Sequence, residues 1–341
     1  MKNYKKKYYE RLTLFPGLLQ EKETFYGYRC LHCYEPLREP NTHVHQACNK
    51  RFYGQLKTPE LHYKHDDLQL LASQIIQSQI AVTGVQAKVS LSLYRKAEKN
   101  LTKKLTIVGL YGDYILKPPS EFYPELPELE SVTMHMAAIC GLHVVPHSLI
   151  RLEDETLCYI TKRVDRTKNG KLHMEDMCQL SERLTEDKYK GSHEQIAKLI
   201  LKYSNSPLLD ITHFLELVLF SFLTGNSDMH LKNFSLLEKP GLGFCLSPAY
   251  DLVPTTLINP ADKEELALTL NGKKNKLKYE DFLAAAETMG IHKKILDNTL
   301  ELFKYAKPEL LTVLDKSFAS DSMKATYFQL IHQRYAQLGL D

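Results

Sequence analysis

The stretch that most constrains this chain runs from Asp210 to Thr224. Ile211, Phe214, Leu215, Leu217, Val218, Leu219, Phe220, Phe222 and Leu223 make it almost wholly apolar on every side. A helix that is apolar all round has to be buried, and this one is too short to cross a bilayer. Asp210 is placed to cap its start, and Gly225 to end it in a left-handed turn. What the helix delivers is polar: Gly225-Asn226-Ser227-Asp228-Met229-His230-Leu231-Lys232-Asn233-Phe234-Ser235. A loop of this kind in apolar surroundings must find partners for its polar groups. Gly243 to Leu246 and Ala249-Tyr250 read as short strands beside it, and they lead to Asp251.

The spacing carries chemistry. Asp228 and Asn233 stand five positions apart, as in the D-x-x-x-x-N catalytic loop of kinases. There the Asp accepts the proton of the attacking hydroxyl and the Asn oxygen helps hold magnesium. Asp251 is the expected main metal carboxylate. Phosphoryl transfer needs one carboxylate near the nucleophile and separate oxygen ligands on the ions that neutralise the phosphates.

Composition bounds the alternatives. With 341 residues, 43% hydrophobic and 25% charged, the chain has the make-up of an ordinary soluble protein with room for two or three cores. A net charge of +3, from 44 basic and 41 acidic residues, does not announce nucleic acid as a direct partner, and a membrane partner is not expected. Seven cysteines, several set singly in apolar stretches, fit a reducing compartment, so the cytoplasm is the expected location.

Residues 1–24 are lysine- and tyrosine-rich without an apolar core and read as a flexible lead-in, not a secretory signal. Residues 25–55 hold Cys30-Leu31-His32-Cys33 and His43-Val44-His45-Gln46-Ala47-Cys48. Cys30, Cys33, His45 and Cys48 make a four-ligand set for structural zinc, with His45 preferred to His43 by its spacing to Cys48. The segment between, with Pro36 and Pro40, has no core of its own, and a metal gives it a reason to fold.

From 56 to 165 the pattern is mainly extended. A helical segment from Leu56 to Ile80 precedes Thr83-Gly84-Val85-Gln86-Ala87-Lys88, and strands follow at Val89 to Leu93, Leu105 to Leu110 and Asp113 to Lys117. Lys117 ends its strand behind a Gly-containing loop, the placement of a phosphate-binding lysine. Glu130, on a helix reaching Cys140, is its candidate partner, with Glu128 and Glu125 close in sequence. Val144 to Arg151 and Leu157 to Arg163 read as a hairpin, and the strand exit after it is where a two-lobed kinase would hinge, with adenine meeting backbone groups. From 166 to 341 the chain reads as helical, at Met174 to Arg183, Ser192 to Ser204, Tyr279 to Met289, His292 to Tyr305, Pro308 to Phe318 and Asp321 to Leu338.

Taken in series, Gly84-Val85-Gln86-Ala87-Lys88, Tyr114-Ile115-Leu116-Lys117, Arg163-Val164-Asp165-Arg166, Glu175-Asp176-Met177-Cys178-Gln179, Gly225 to Ser235 and Ala249-Tyr250-Asp251 resemble the HipA family of bacterial toxin kinases. The resemblance implies an α+β, two-lobed kinase-like fold with a β-rich first lobe and an all-helical second lobe. It implies ATP and magnesium as cofactors, Asp228 as base, Asn233 and Asp251 on the metal, and Lys117 on the phosphates. His230 and Lys232 would orient phosphate or base. Lys162 and Val164 at the strand exit would hold adenine, and Thr83, Gly84, Val85, Gln86, Lys88 and Asp165 would line the nucleotide. The family's small β-rich domain is replaced here by the cysteine segment, which is similar to the short HipT kinases of HipBST modules. Those act with a small HipS-like partner and a DNA-binding HipB-like antitoxin, and the implied substrate is an aminoacyl-tRNA synthetase phosphorylated on serine. Where the family autophosphorylates on serine before the glycine, this chain has Ala81 and Thr83. Thr83 is the expected acceptor, with Ser78 and Ser90 behind it. A small-molecule phosphotransferase of the aminoglycoside type, and a silent scaffold binding through the knuckle, are the rival readings.

Overall fold

The computed structural model describes residues 29–38, 42–68, 70, 88–94, 103–108, 112–120, 122–123 and 125–341. The expected lead-in, the helix over 71–80, and Ser78, Ala81 and the loop Thr83 to Gln86 with its phosphoacceptor lie outside the described residues.

The elements, in order, begin with α1 (Gln46–Tyr53), β1 (Val89–Tyr94), β2 (Lys104–Ile107), β3 (Tyr114–Lys117), α2 (Leu126–Ile139), β4 (His147–Arg151) and β5 (Leu157–Lys162). The five strands form one antiparallel sheet in the order β2-β1-β3-β5-β4. β4 and β5 are buried on both faces, whereas β1 alternates fully buried Val89 and Leu91 with half-buried Ser90 and Ser92. Successive side chains take opposite faces. Cys158 and Ile160 join Val89, Leu91, Leu105, Tyr114 and Leu116 in one core with Phe52, Tyr53, Leu61 and Leu68. Tyr159 and Leu149 point the other way, into the larger core with Leu129, Val132 and Met136 of α2.

The chain continues through β6 (Arg166–Thr167), β7 (Gly170–Lys171), β8 (Met174–Asp176), α3 (Met177–Leu180), α4 (His193–Tyr203), α5 (Pro207–Leu223), β9 (Ser235–Lys239), β10 (Gly243–Leu246), α6 (Thr255–Ile258), α7 (Tyr279–Thr288), α8 (Lys293–Asp315) and α9 (Asp321–Gln337). The central helix α5 exposes Leu208 and Leu209 in its first turn and from Asp210 on packs into the core with Phe282, Phe303, Tyr327 and Tyr335 among others.

Several expectations are corrected here. The part after 165 is not all-helical: β10-β9-β8 form a three-stranded sheet and β6-β7 a small hairpin. Met174 to Arg183 is not one helix, because Met174-Glu175-Asp176 pairs with Leu237-Leu236-Ser235 before the short α3 begins. Asp210 does not cap α5. Ser206 precedes the helix, and Asp210, buried in its first turn, accepts from Leu246 N (2.7 Å) and Ser204 Oγ (2.5 Å), tying β10 to the helix. The two helices expected around Pro308 are one, α8. Its buried stripe of Leu296, Leu300, Phe303, Leu310 and Leu314 runs past the proline, and packing of that stripe outweighs a proline cost of about 3 kcal/mol. Residues 54–64 are not helical; Glu60 bridges to Lys104 instead.

Candidate active site and metal knuckle

The polar loop begins where α5 stops. Gly225 has φ +69°, and a Cβ there would come within 2.5 Å of Leu330 Cδ2, so both backbone and space call for glycine. The Asn226 side chain accepts from Asp228 N (3.4 Å), and Ser227 N donates to Thr255 Oγ1 (2.8 Å). His230 N donates to Asp228 O (2.8 Å) and to Asn233 Oδ1 (3.2 Å), which closes the turn from Asp228 to Asn233.

Asp251 is the meeting point. Its φ of +62° is left-handed, a conformation Asp tolerates better than most residues. Lys117 Nζ lies 2.5 Å from Oδ1, Lys88 Nζ 3.2 Å from Oδ2, and Asn233 Nδ2 donates to Oδ2 at 3.1 Å. Lys117, only 4% exposed, also donates to Glu130 Oε1 at 2.6 Å. Burial opposes these charges, but Lys117 and Lys88 together hold the Asp251 carboxyl well below the usual range. The Lys117 ammonium is likewise raised by Asp251 and Glu130 against burial. Burial pushes Glu130 up to about 7, with Lys117 pulling the other way.

Of the three acidic candidates for Lys117, only Glu130 meets it. Glu125 receives Ser320 N and Oγ, and burial pushes Glu128 up to about 7.

Asp228 is exposed, and partial desolvation of its carboxylate raises its pKa, with Tyr189 and Lys188 opposing. His230 is buried and lowered to about 4 by desolvation, then by Lys188, so its imidazole is neutral at pH 7. Lys232 is not aimed at Asp228 but pairs with Asp176 (3.0 Å), the residue capping α3. At the β5 exit, Lys162 is exposed and Val164 half-buried, and Asp165 is clamped by Arg163 (3.0 Å) and Arg166 (2.5 Å).

The donor set fits a hard divalent cation. Asp251 is ionised and offers carboxylate oxygens, and the Asn233 side chain lies beside it with its Oδ1 turned to His230 N. Ligation by Asn233 requires its amide to turn over, since Nδ2 faces Asp251 here.

Cys30, Cys33, His45 and Cys48 bring one ligand atom each to within 4.8 Å of one another. Cys33 Sγ is 3.3 Å and Cys48 Sγ 4.0 Å from His45 Nδ1. His45 Nε2 is held by Pro36 O at 3.0 Å, which leaves Nδ1 as the ligating nitrogen. Three thiolates and an imidazole in this grouping suit tetrahedral zinc. The knuckle is docked on α2: Tyr34 OH donates to Ser131 Oγ (2.7 Å), Tyr34 stacks on His135 (4.4 Å), and His135 Nε2 meets His32 O (2.8 Å). On its other side Leu149 N of β4 donates to Leu31 O (3.1 Å).

One site residue had no signal in the sequence. Tyr189, between α3 and α4, donates to Asp228 Oδ1 at 2.7 Å. A lone tyrosine in a charged connection offers no spacing to read.

A profile of the HipA-like C-terminal domain family matches residues 80–309. A Sinorhizobium fredii protein named "Putative kinase Y4dM" is 30% identical over 234 residues, 64% of this chain and 56% of its own length. The Shewanella oneidensis protein named serine/threonine-protein kinase toxin HipA is 25% identical over 245 residues, 65% of this chain and 54% of its own. The matched part therefore spans little more than half the length of these two relatives. A solved structure of HipA with HipB and operator DNA from Shewanella oneidensis superposes with a TM-score of 0.64 at 22% identity, over 79% of this chain and 71% of that one. At that identity the likeness speaks for the fold.

Proposed function

The chain belongs to the family of HipA-like C-terminal domains, and on that premise we propose that it is an ATP- and magnesium-dependent serine/threonine protein kinase. The observation that carries the proposal is the convergence on Asp251 of Lys117, Lys88 and Asn233, with Asp228 on the same loop as Asn233. Asp228 accepts the proton of the acceptor hydroxyl, and Lys117, held by Glu130, turns to the phosphates. Asp251 and Asn233 would hold magnesium, which supplies charge neutralisation of the phosphates when bound. Catalysis then rests on positioning and electrostatics, not on a covalent intermediate. Lys162, Val164 and Asp165 are proposed at the adenine, and Thr83, Gly84, Val85, Gln86 and Lys88 over the phosphates. Thr83 is the proposed autophosphorylation site.

The biological role we propose is the toxin of a toxin–antitoxin module of the HipT type. A HipS-like partner and a HipB-like antitoxin would restrain it, and an aminoacyl-tRNA synthetase would be its substrate. In this proposal it works in the cytoplasm, with residues 25–55 as a structural zinc segment, 56–165 as the first lobe and 166–341 as the second. The test is transfer from γ-labelled ATP in a bacterial lysate, with Asp228→Asn alongside. One labelled band that vanishes with the variant, and proves to be a synthetase, supports the whole reading. Transfer retained in Asp228→Asn sinks the base assignment. ATP turnover without a labelled protein turns the reading to a small hydroxylated acceptor.

A further inference from the structure

We infer that Tyr189 is the positioning residue of the catalytic base: it fixes Oδ1 of Asp228 and leaves Oδ2 to take the acceptor's proton. The inference rests on the kinase reading above. Tyr189 OH donates to Asp228 Oδ1 at 2.7 Å, and no hydrogen bond reaches Oδ2 among the described residues. A carboxylate free to spin presents either oxygen; one anchored by a donor presents a single oxygen in a fixed direction, which is what proton abstraction at a set distance needs.

The tyrosine is itself held. Its ring meets His230 edge-on, with centroids 5.1 Å apart at 78°, while Lys188 Nζ lies 4.9 Å from the ring centroid. The backbone on either side is stitched down: Leu231 N donates to Lys188 O (3.1 Å), and Thr269 N and Oγ1 reach Gly191 O (3.3 and 3.2 Å). The loop thus registers Tyr189 against the turn from Asp228 to Asn233 through main-chain bonds, and Tyr189 is 43% exposed.

Two other roles fit less well. As a nucleophile Tyr189 would have to ionise beside Asp228, and burial and that carboxylate both raise its pKa. As a plug it would have to occupy both carboxylate oxygens, and it takes one.

The experiment measures kcat and KM for ATP, by release or transfer of γ-labelled phosphate, across pH. It compares the unaltered chain, Tyr189→Phe and Asp228→Asn. Phe keeps the ring against His230 and Lys188, and a thermal melt confirms that it folds. The expected result for Tyr189→Phe is a fall in kcat of about tenfold, the loss of one hydrogen bond to a charged group, with KM for ATP unchanged. The acidic limb of kcat should also move to higher pH. Tyr189 and Lys188 lower the Asp228 pKa while burial and Asp251 raise it, and Lys88 also lowers it; removing the hydroxyl alone leaves the raising groups less opposed. An unchanged kcat and pH profile, or faster turnover, overturns the inference. Turnover retained in Asp228→Asn, or none in the unaltered chain, fails the kinase reading instead and this inference with it.

Discussion

Lys117 shows how much rides on a single buried charge. It sits between Glu130 at 2.6 Å and Asp251 at 2.5 Å. Replacing it with methionine leaves Glu130 buried without its cation, and leaves Asp251 with Lys88 alone. Lys117→Met should cost about 3 to 5 kcal/mol in a denaturant melt, and adding Glu130→Gln should restore part of it. Equal stability of the two variants would mean that the pair is not coupled. His193 makes a second residue-scale prediction. It is fully buried with neither ring nitrogen hydrogen-bonded among the described residues, and desolvation lowers it to about 3. The unfolded chain therefore binds the extra proton more readily, so stability falls as pH drops below the ordinary value near 6.5. The loss is up to about 1.4 kcal/mol per pH unit until the folded pKa is reached. His193→Leu should flatten the pH 4 to 6.5 part of the stability curve; a curve parallel to the unaltered chain's would refute it. At this scale Asp228, Asn233, Asp251 and Lys117 were legible because their spacing reflects one local turn or strand end. Tyr189 was not, because its partner lies thirty-nine positions away.

Among the elements, α2 joins two sites. Glu130 holds Lys117, while the neighbouring Ser131 and His135 hold the knuckle. On the proposed zinc and kinase readings, treatment with a chelator, or Cys33→Ser, should lower the melting temperature and weaken phosphate transfer together. Full transfer by a chain whose melting point has dropped would show that the knuckle does not support α2. Ser131→Ala is the milder probe: it leaves the Tyr34 hydroxyl buried without its partner, at a cost of about 1 to 3 kcal/mol. Elements were read well where the local pattern was strong, as in the alternation of β1 and the apolar runs of β3, β5 and α5. They were misread where a distant segment decided. Met174-Glu175-Asp176 is extended because β9 pairs with it, and α8 runs through Pro308 because its apolar stripe is covered on both sides of the proline.

Across the whole molecule, the five-stranded sheet and the helical part meet at Asp251, which takes Lys117 from β3 and Lys88 from the approach to β1. Asp251→Asn should remove metal-dependent ATP binding and speed hydrogen exchange in β3, since two cations lose their shared carboxylate. Slow exchange in β3 together with lost ATP binding would separate the structural role of Asp251 from the chemical one.

What the sequence alone determined is what short segments encode. The buried helix and its glycine stop, the Asp228-to-Asn233 spacing, the strand ending in Lys117 and the Cys/His grouping each follow from residues near one another along the chain. Tertiary structure decided the pairings: Glu130 over Glu125 and Glu128 for Lys117, Asp176 for Lys232, Tyr189 for Asp228, and strands in the part after 165. Those choices depend on which segments are brought within a few ångströms of each other. Burial then makes a paired charge or hydroxyl far better than an unpaired one.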